Sequence, residues 1–260
     1  MLIIYFFVSM LASFAGAISG IGGGILLKPI LDAIQTLSIQ TINFLSVCTV
    51  LSMTVVSLFR IRKQPNQSKT GVNAFLGFGG VIGGIGGKAL LNTALQSIHS
   101  DQLVGATQSL MLLFITIGVF AFIRSKSSIT TQKNNNCMIS ALIGMQLGLI
   151  SSFLGIGGGP LNLGVLYYFF SMDAKTASIN SLFIIFLSQL ANLVYSISSH
   201  AIPMVDPLIL AGMIMGGITG GLLGNKVICW MSNSHVESFF QNLLLVISAV
   251  NIYNIAQFLR

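Results

Sequence analysis

The sequence predicts an all-α polytopic integral membrane protein of about eight helical membrane segments. It is read as two homologous halves, each opening with a glycine-broken helix that either crosses or re-enters. Three observations lead there. Of 260 residues 54% are hydrophobic and only 7% charged, with a mean hydropathy of +0.90, whereas soluble chains carry about 25% charged residues. The charges leave eight uncharged windows, at 1–27, 33–59, 70–87, 102–123, 134–172, 176–205, 207–225 and 238–259. A helix needs about 20 apolar residues to cross about 30 Å of hydrocarbon, so up to eight crossings fit. The third observation is an internal duplication.

Gly20-Ile21-Gly22-Gly23-Gly24 recurs as Gly155-Ile156-Gly157-Gly158-Gly159, 135 residues on. The ladder Gly79, Gly80, Gly83, Gly84, Gly87 recurs as Gly216, Gly217, Gly220, Gly221, Gly224, 137 residues on. Asp101 and Glu237 are expected to open the last helix of each half. Three features in one order at nearly one offset mark a duplication. The halves are 1–125 and 137–260, joined by a polar linker at 126–136.

The first window has small residues at Ala15, Gly16 and Ala17 but no basic residues before them, and its distal part recurs in mid-chain; it reads as structure rather than as a cleaved leader. The net charge of +7 is concentrated in hydrophilic loops, with Arg60, Arg62, Lys63 and Lys69 in one and Arg124, Lys126 and Lys133 in another. That is the pattern of cytoplasmic loops, and it excludes nucleic acid as a partner. Cys48, Cys137 and Cys229 form no CxxC pair, and His99, His200 and His235 have no ligand spacing, so no metal or cofactor is expected. No nucleophile, base and orienting group can be assembled, and catalysis is not expected. Ile85-Gly86-Gly87-Lys88-Ala89 fails as a phosphate loop, with Ile82 where the first glycine belongs and Ala89 where Ser or Thr would hold magnesium.

Three glycines in an apolar run each weaken a helix by about 1 kcal/mol relative to alanine. After each break the apolar stretches 25–36 and 160–172 are too short to cross the membrane alone. Pro160 suits the first turn of a new helix, and Pro29 lies one turn into the matching segment. Broken helices at membrane depth are tolerated where protein or a water-filled cavity satisfies the backbone, and they build transporter sites by presenting helix N-termini to anions. The residues expected to bind a small anion are therefore Gly22, Gly23, Gly24, Lys28 and Ser46 in the first half. In the second they are Gly157, Gly158, Gly159, Asn162, Asn180 and Ser181. Lys28 could instead pair with Asp32, four residues on, or snorkel to water. The ladders read as helix-packing faces, and Gln189 and Asn192 as hydrogen-bonding glue between helices.

Gly20 to Pro29 (GIGGGILLKP), Gly155 to Gly159, Lys175 to Ser181 (KTASINS) and the paired ladders resemble the TauE/SafE sulfite exporter family over essentially the whole chain. The family's Thr-Ser pair is represented by Leu45-Ser46 and Asn180-Ser181, where only the serines match. The resemblance implies a secondary transporter or facilitator in the bacterial inner membrane. Its solute would be sulfite, an organosulfonate or a related sulfur-containing or carboxylate anion. An anion channel, a membrane-embedded enzyme and a scaffold are the alternatives, and a homo-oligomer is compatible with the sequence. Topology stays open. Four crossings per half place eight Arg and Lys inside against four outside, whereas re-entrant openings invert the second half and give nine against three. Inversion is the expectation, because it aims the two glycine tips at each other.

Overall fold

The computed structural model describes residues 2–61, 70–98, 100–126, 129–134 and 136–259. Arg62, Lys63, Lys69, His99 and Arg260 lie outside the described residues. Five helices make up the first half: α1 Leu2–Ser19, α2 Gly24–Ile34, α3 Ile39–Ile61, α4 Thr70–Ile98 and α5 Asp101–Arg124. Five follow in the same order: α6 Cys137–Phe153, α7 Pro160–Phe170, α8 Ala174–Ser198, α9 Pro207–Ile228 and α10 Asn233–Phe258. Seven of the helices in the described residues are long and apolar enough to cross a membrane, and α6 is a shorter apolar helix.

The opening unit of each half is a hairpin. Tyr5 near the start of α1 shares a 2.7 Å hydrogen bond with Thr36 just past the end of α2, while Gly16 and Ser13 lie directly against Gly22 and Gly23 at the turn. The chain thus enters, turns at Gly20–Gly23 and returns to the end where it began. The second hairpin closes likewise: the amides of Gln132 and Asn134, just before α6, donate to the Tyr168 and Phe169 carbonyls of α7 at 2.7 and 2.9 Å. Each half therefore opens with a helical hairpin whose two ends lie together, followed by three long helices. Pro160 takes the first helical position of α7, and Pro29 sits inside α2.

Three long helices separate the hairpins, so the second hairpin starts from the opposite end of the bundle to the first. One end of the bundle gathers the start of α1, the end of α2, the start of α5 and the end of α10, where Asp32, Gln35, Asp101 and Phe258 line one cavity. The opposite end gathers Arg60, Lys175 and Cys229 around another and pairs Lys126 with Glu237. We call these the acidic and the basic end.

The glycine ladders cement the two halves. Cβ atoms added at Gly79, Gly83 and Gly87 of α4 would strike the Ala141, Met145 and Leu149 carbonyls of α6. Those at Gly220 and Gly224 of α9 would strike Met10 and Phe14 of α1. The adjacent glycines turn to a second helix: Gly80 and Gly84 lie on Ile184 and Ser188 of α8, and Gly217 and Gly221 on Thr49 and Met53 of α3. Without side chains the backbones approach closely, which replaces hydrophobic drive inside a bilayer. Large apolar residues such as Phe7, Phe59, Phe78, Phe114, Leu223 and Tyr253 are exposed on the outside, where lipid is the solvent. One expectation is corrected: Asp101 opens α5, but α10 opens at Asn233 behind a Ser232 cap, and Glu237 stands a turn inside it.

Candidate functional site at the hairpin tips

The tips of the two hairpins touch in the interior. A Cβ on Gly22 would stand 3.5 Å from the Gly157 carbonyl oxygen, and one on Gly158 would stand 2.8 Å from that of Ile21. One on Gly24 would collide with the Ile156 carbonyl and come within 2.8 Å of Ser46 Oγ. The turns need glycine at Gly22 (φ 82°) and Gly157 (φ 68°), which lie in the left-handed region. Gly23 does not share that reason: it is right-handed helical at φ −63°, and what forbids a side chain there is the Ser13 backbone, 2.9 Å from a Cβ.

Helices α2 and α7 both start at these tips, and neither has a side-chain cap. The first amides of a helix lack intrahelical acceptors and carry the positive end of its dipole. Around them lie buried polar side chains. Ser46 Oγ and Ser13 Oγ have no hydrogen-bond partner, and Asn162 donates to Ser181 Oγ at 3.2 Å with its own Oδ1 unpartnered. Buried polar atoms are rarely left unpaired. Here they ring the contact of the tips.

The structure thus brings together Gly22, Gly23, Gly24, Ser46, Gly157, Gly158, Gly159, Asn162 and Ser181. Two of the expected residues stand apart. Lys28 donates to Asp32 Oδ2 at 2.7 Å, both side chains buried, so its charge is matched one turn away from the tip. Asn180 accepts from Asn73 Nδ2 at 2.6 Å and donates to the Thr176 carbonyl at 2.9 Å, a bridge between α4 and α8. Both partners were invisible to local spacing or undecided by it.

Two other polar residues sit closer than sequence spacing suggested. Asn43, a turn before Ser46, lies against Gly155 with both amide atoms unpartnered. Gln189 lies against Gly157 and makes no hydrogen bond among the described residues, in place of the interhelical one expected of it. Their signal was a polar side chain well inside an apolar window, which alone does not separate glue from site. Among the described residues no group of three or more His, Cys, Asp or Glu could hold a metal ion.

A multi-pass helical bundle whose two re-entrant hairpins meet at a polar, backbone-lined centre has the architecture of a membrane transporter. The chain belongs to the TauE/SafE sulfite exporter family: residues 5–251 match the family described as "Sulfite exporter TauE/SafE". It is also similar to the "Probable membrane transporter protein YunE" of Bacillus subtilis (strain 168), 24% identical over 265 residues that cover 94% of each chain. No solved structure matches.

Proposed function

We propose that the chain is a secondary transporter or facilitator that moves a small anion across the bacterial inner membrane. The anion would be sulfite, an organosulfonate, or a related sulfur-containing or carboxylate ion, held between the hairpin tips. The observation that carries this reading is the meeting of two uncapped helix starts, at Gly24 and Pro160, inside the bundle. First-turn backbone amides there, other than Pro160, which has no N–H, offer donors and positive dipole ends without a fixed cation, and so can release the ion as readily as they take it up. Ser46, Ser181 and Asn162 would add side-chain donors.

The repeats 1–125 and 137–260, joined by 126–136, would act as two opposed halves around this centre, which suits alternating access. The basic end is cytoplasmic in this reading. Arg60, Arg124, Lys126, Lys133, Lys175 and Lys226 support it under the positive-inside rule, against Lys28 and Lys88 toward the other end. An inside-negative potential then favours anion exit by about 2.3 kcal/mol per charge per 100 mV.

The test is flux into proteoliposomes of sulfite, sulfate, thiosulfate, sulfoacetate and acetate. Saturable movement of at least one anion, with the others competing, is the expected result. Absence of anion movement by folded protein refutes the reading.

A further inference from the structure

Lys88 is 3% exposed. It lies in the apolar span Asn73–Ile98 of α4, less than a turn beyond its middle. Unlike Lys28 and Lys126 it has no ion pair, and no hydrogen bond reaches it among the described residues. A lysine ammonium in the interior of a membrane bundle is costly unless a counter-charge meets it, and such residues line solute pathways.

The packing register shows what faces it. Gly80 of α4 lies on Ile184 of α8 and Gly84 on Ser188, and continuing that register one turn along both helices pairs position 88 with position 192. Asn192 Oδ1 is buried without a partner, and so is Ser152 Oγ, which lies 3.5 Å from a Cβ on Gly84. Gln189, against the tip glycine Gly157, lies on the same stretch of α8, and neither of its amide atoms has a partner.

The duplicated position offers a direct comparison. Asn225 of α9 stands where Lys88 stands in α4, each next to the last glycine of its ladder, and Ser57 of α3 corresponds to Asn192. There the two side chains are joined, Asn225 Nδ2 donating to Ser57 Oγ at 2.7 Å. That seam borders a cavity at the basic end lined by Arg60, Lys175, Ser178 and Asn225. One seam is therefore self-satisfied beside an open cationic cavity. The other holds a cation and several unsatisfied acceptors and donors.

We propose that Lys88 is the anion-binding charge of a second subsite, on the α4–α8 seam beyond the hairpin contact toward the acidic end. An oxyanion leaving the tips would be met there by the ammonium and by the amide groups of Asn192 and Gln189 and the hydroxyl of Ser152. The same ion that needs a cation would satisfy a cation that needs an anion. The subsite rests on the anion-transport reading above and assigns it a residue that the duplication does not repeat.

The test uses the whole chain in proteoliposomes with sulfite and methanesulfonate as probes. It compares wild type, Lys88→Gln, Lys88→Asn and Lys226→Gln, the last at an exposed lysine over the Trp230 ring. Flux per folded molecule at sub-saturating anion should fall at least tenfold in both Lys88 variants and stay at the wild-type level in Lys226→Gln. Their melting temperatures should equal or exceed wild type, since an uncompensated charge has been removed. A purely structural lysine would produce the opposite pattern, with lower melting and unchanged flux per folded molecule, and that overturns the proposal. If wild type carries an anion and the Lys88 variants carry it equally well, the subsite fails alone. If wild type carries no anion at all, the transport reading fails and the subsite with it.

Discussion

Replacing Gly157 by alanine isolates the contribution of the tip conformation. At φ 68° the residue is left-handed, and an L side chain there costs roughly 1–2 kcal/mol through the clash of Cβ with its own backbone. The new Cβ would lie 3.1 Å from Val50 Cγ1 and 3.2 Å from Gln189 Cδ. These are side-chain atoms that can yield by a few tenths of an ångström, so the backbone term dominates and the total is about 1–3 kcal/mol. Gly118 is the matched control: nothing lies within 4 Å of a Cβ there, and alanine in a helix interior gains about 0.5–1 kcal/mol over glycine. Thermal melting in detergent should therefore fall for Gly157→Ala and hold or rise for Gly118→Ala. Flux per folded molecule should drop at least tenfold only in the former, because the strained turn retreats from its partner tip. A Gly157→Ala protein with wild-type melting and flux would refute both the strained turn and its place at the transport centre.

Further expectations follow from other contacts. Gly83→Ala has no backbone strain but drives a Cβ into the Met145 carbonyl of α6, so it should lower melting more than Gly157→Ala while leaving anion affinity unchanged, as titration of the surviving folded protein would record. Asp32→Asn strands the buried Lys28 and should destabilise by about 3–5 kcal/mol, whereas the double variant Lys28→Met, Asp32→Leu should recover most of the loss in the same melting assay. For orientation, Leu259→Cys in a background lacking the native cysteines should react with an impermeant maleimide from outside intact cells. The native Cys137, which opens α6 at the basic end, should react only after permeabilisation. Labelling in the reverse sense would overturn the cytoplasmic basic end.

Much of this architecture could be read before any coordinates. Composition and charge-free windows identify a membrane protein, because a helix in hydrocarbon tolerates few charges over about 20 residues. The repeated GIGGG motif and four-residue glycine ladders locate the breaks and the packing faces, because both follow from what a missing Cβ permits along one segment. Tertiary structure decided the rest. Eight against four or nine against three basic residues could not choose between crossing and re-entrant openings, since a single lysine shifts the balance little. The Tyr5–Thr36 contact shows that the first break turns the chain back on itself, which no count of charges could reveal. Likewise Lys28, Lys88 and Asn180 look alike as polar residues in apolar windows. One is matched by Asp32, one by Asn73 more than a hundred residues away, and one by nothing among the described residues. Whether a polar group in a membrane is structural or available depends on partners brought to it by packing, and those partners lie on other helices, beyond the reach of local periodicity.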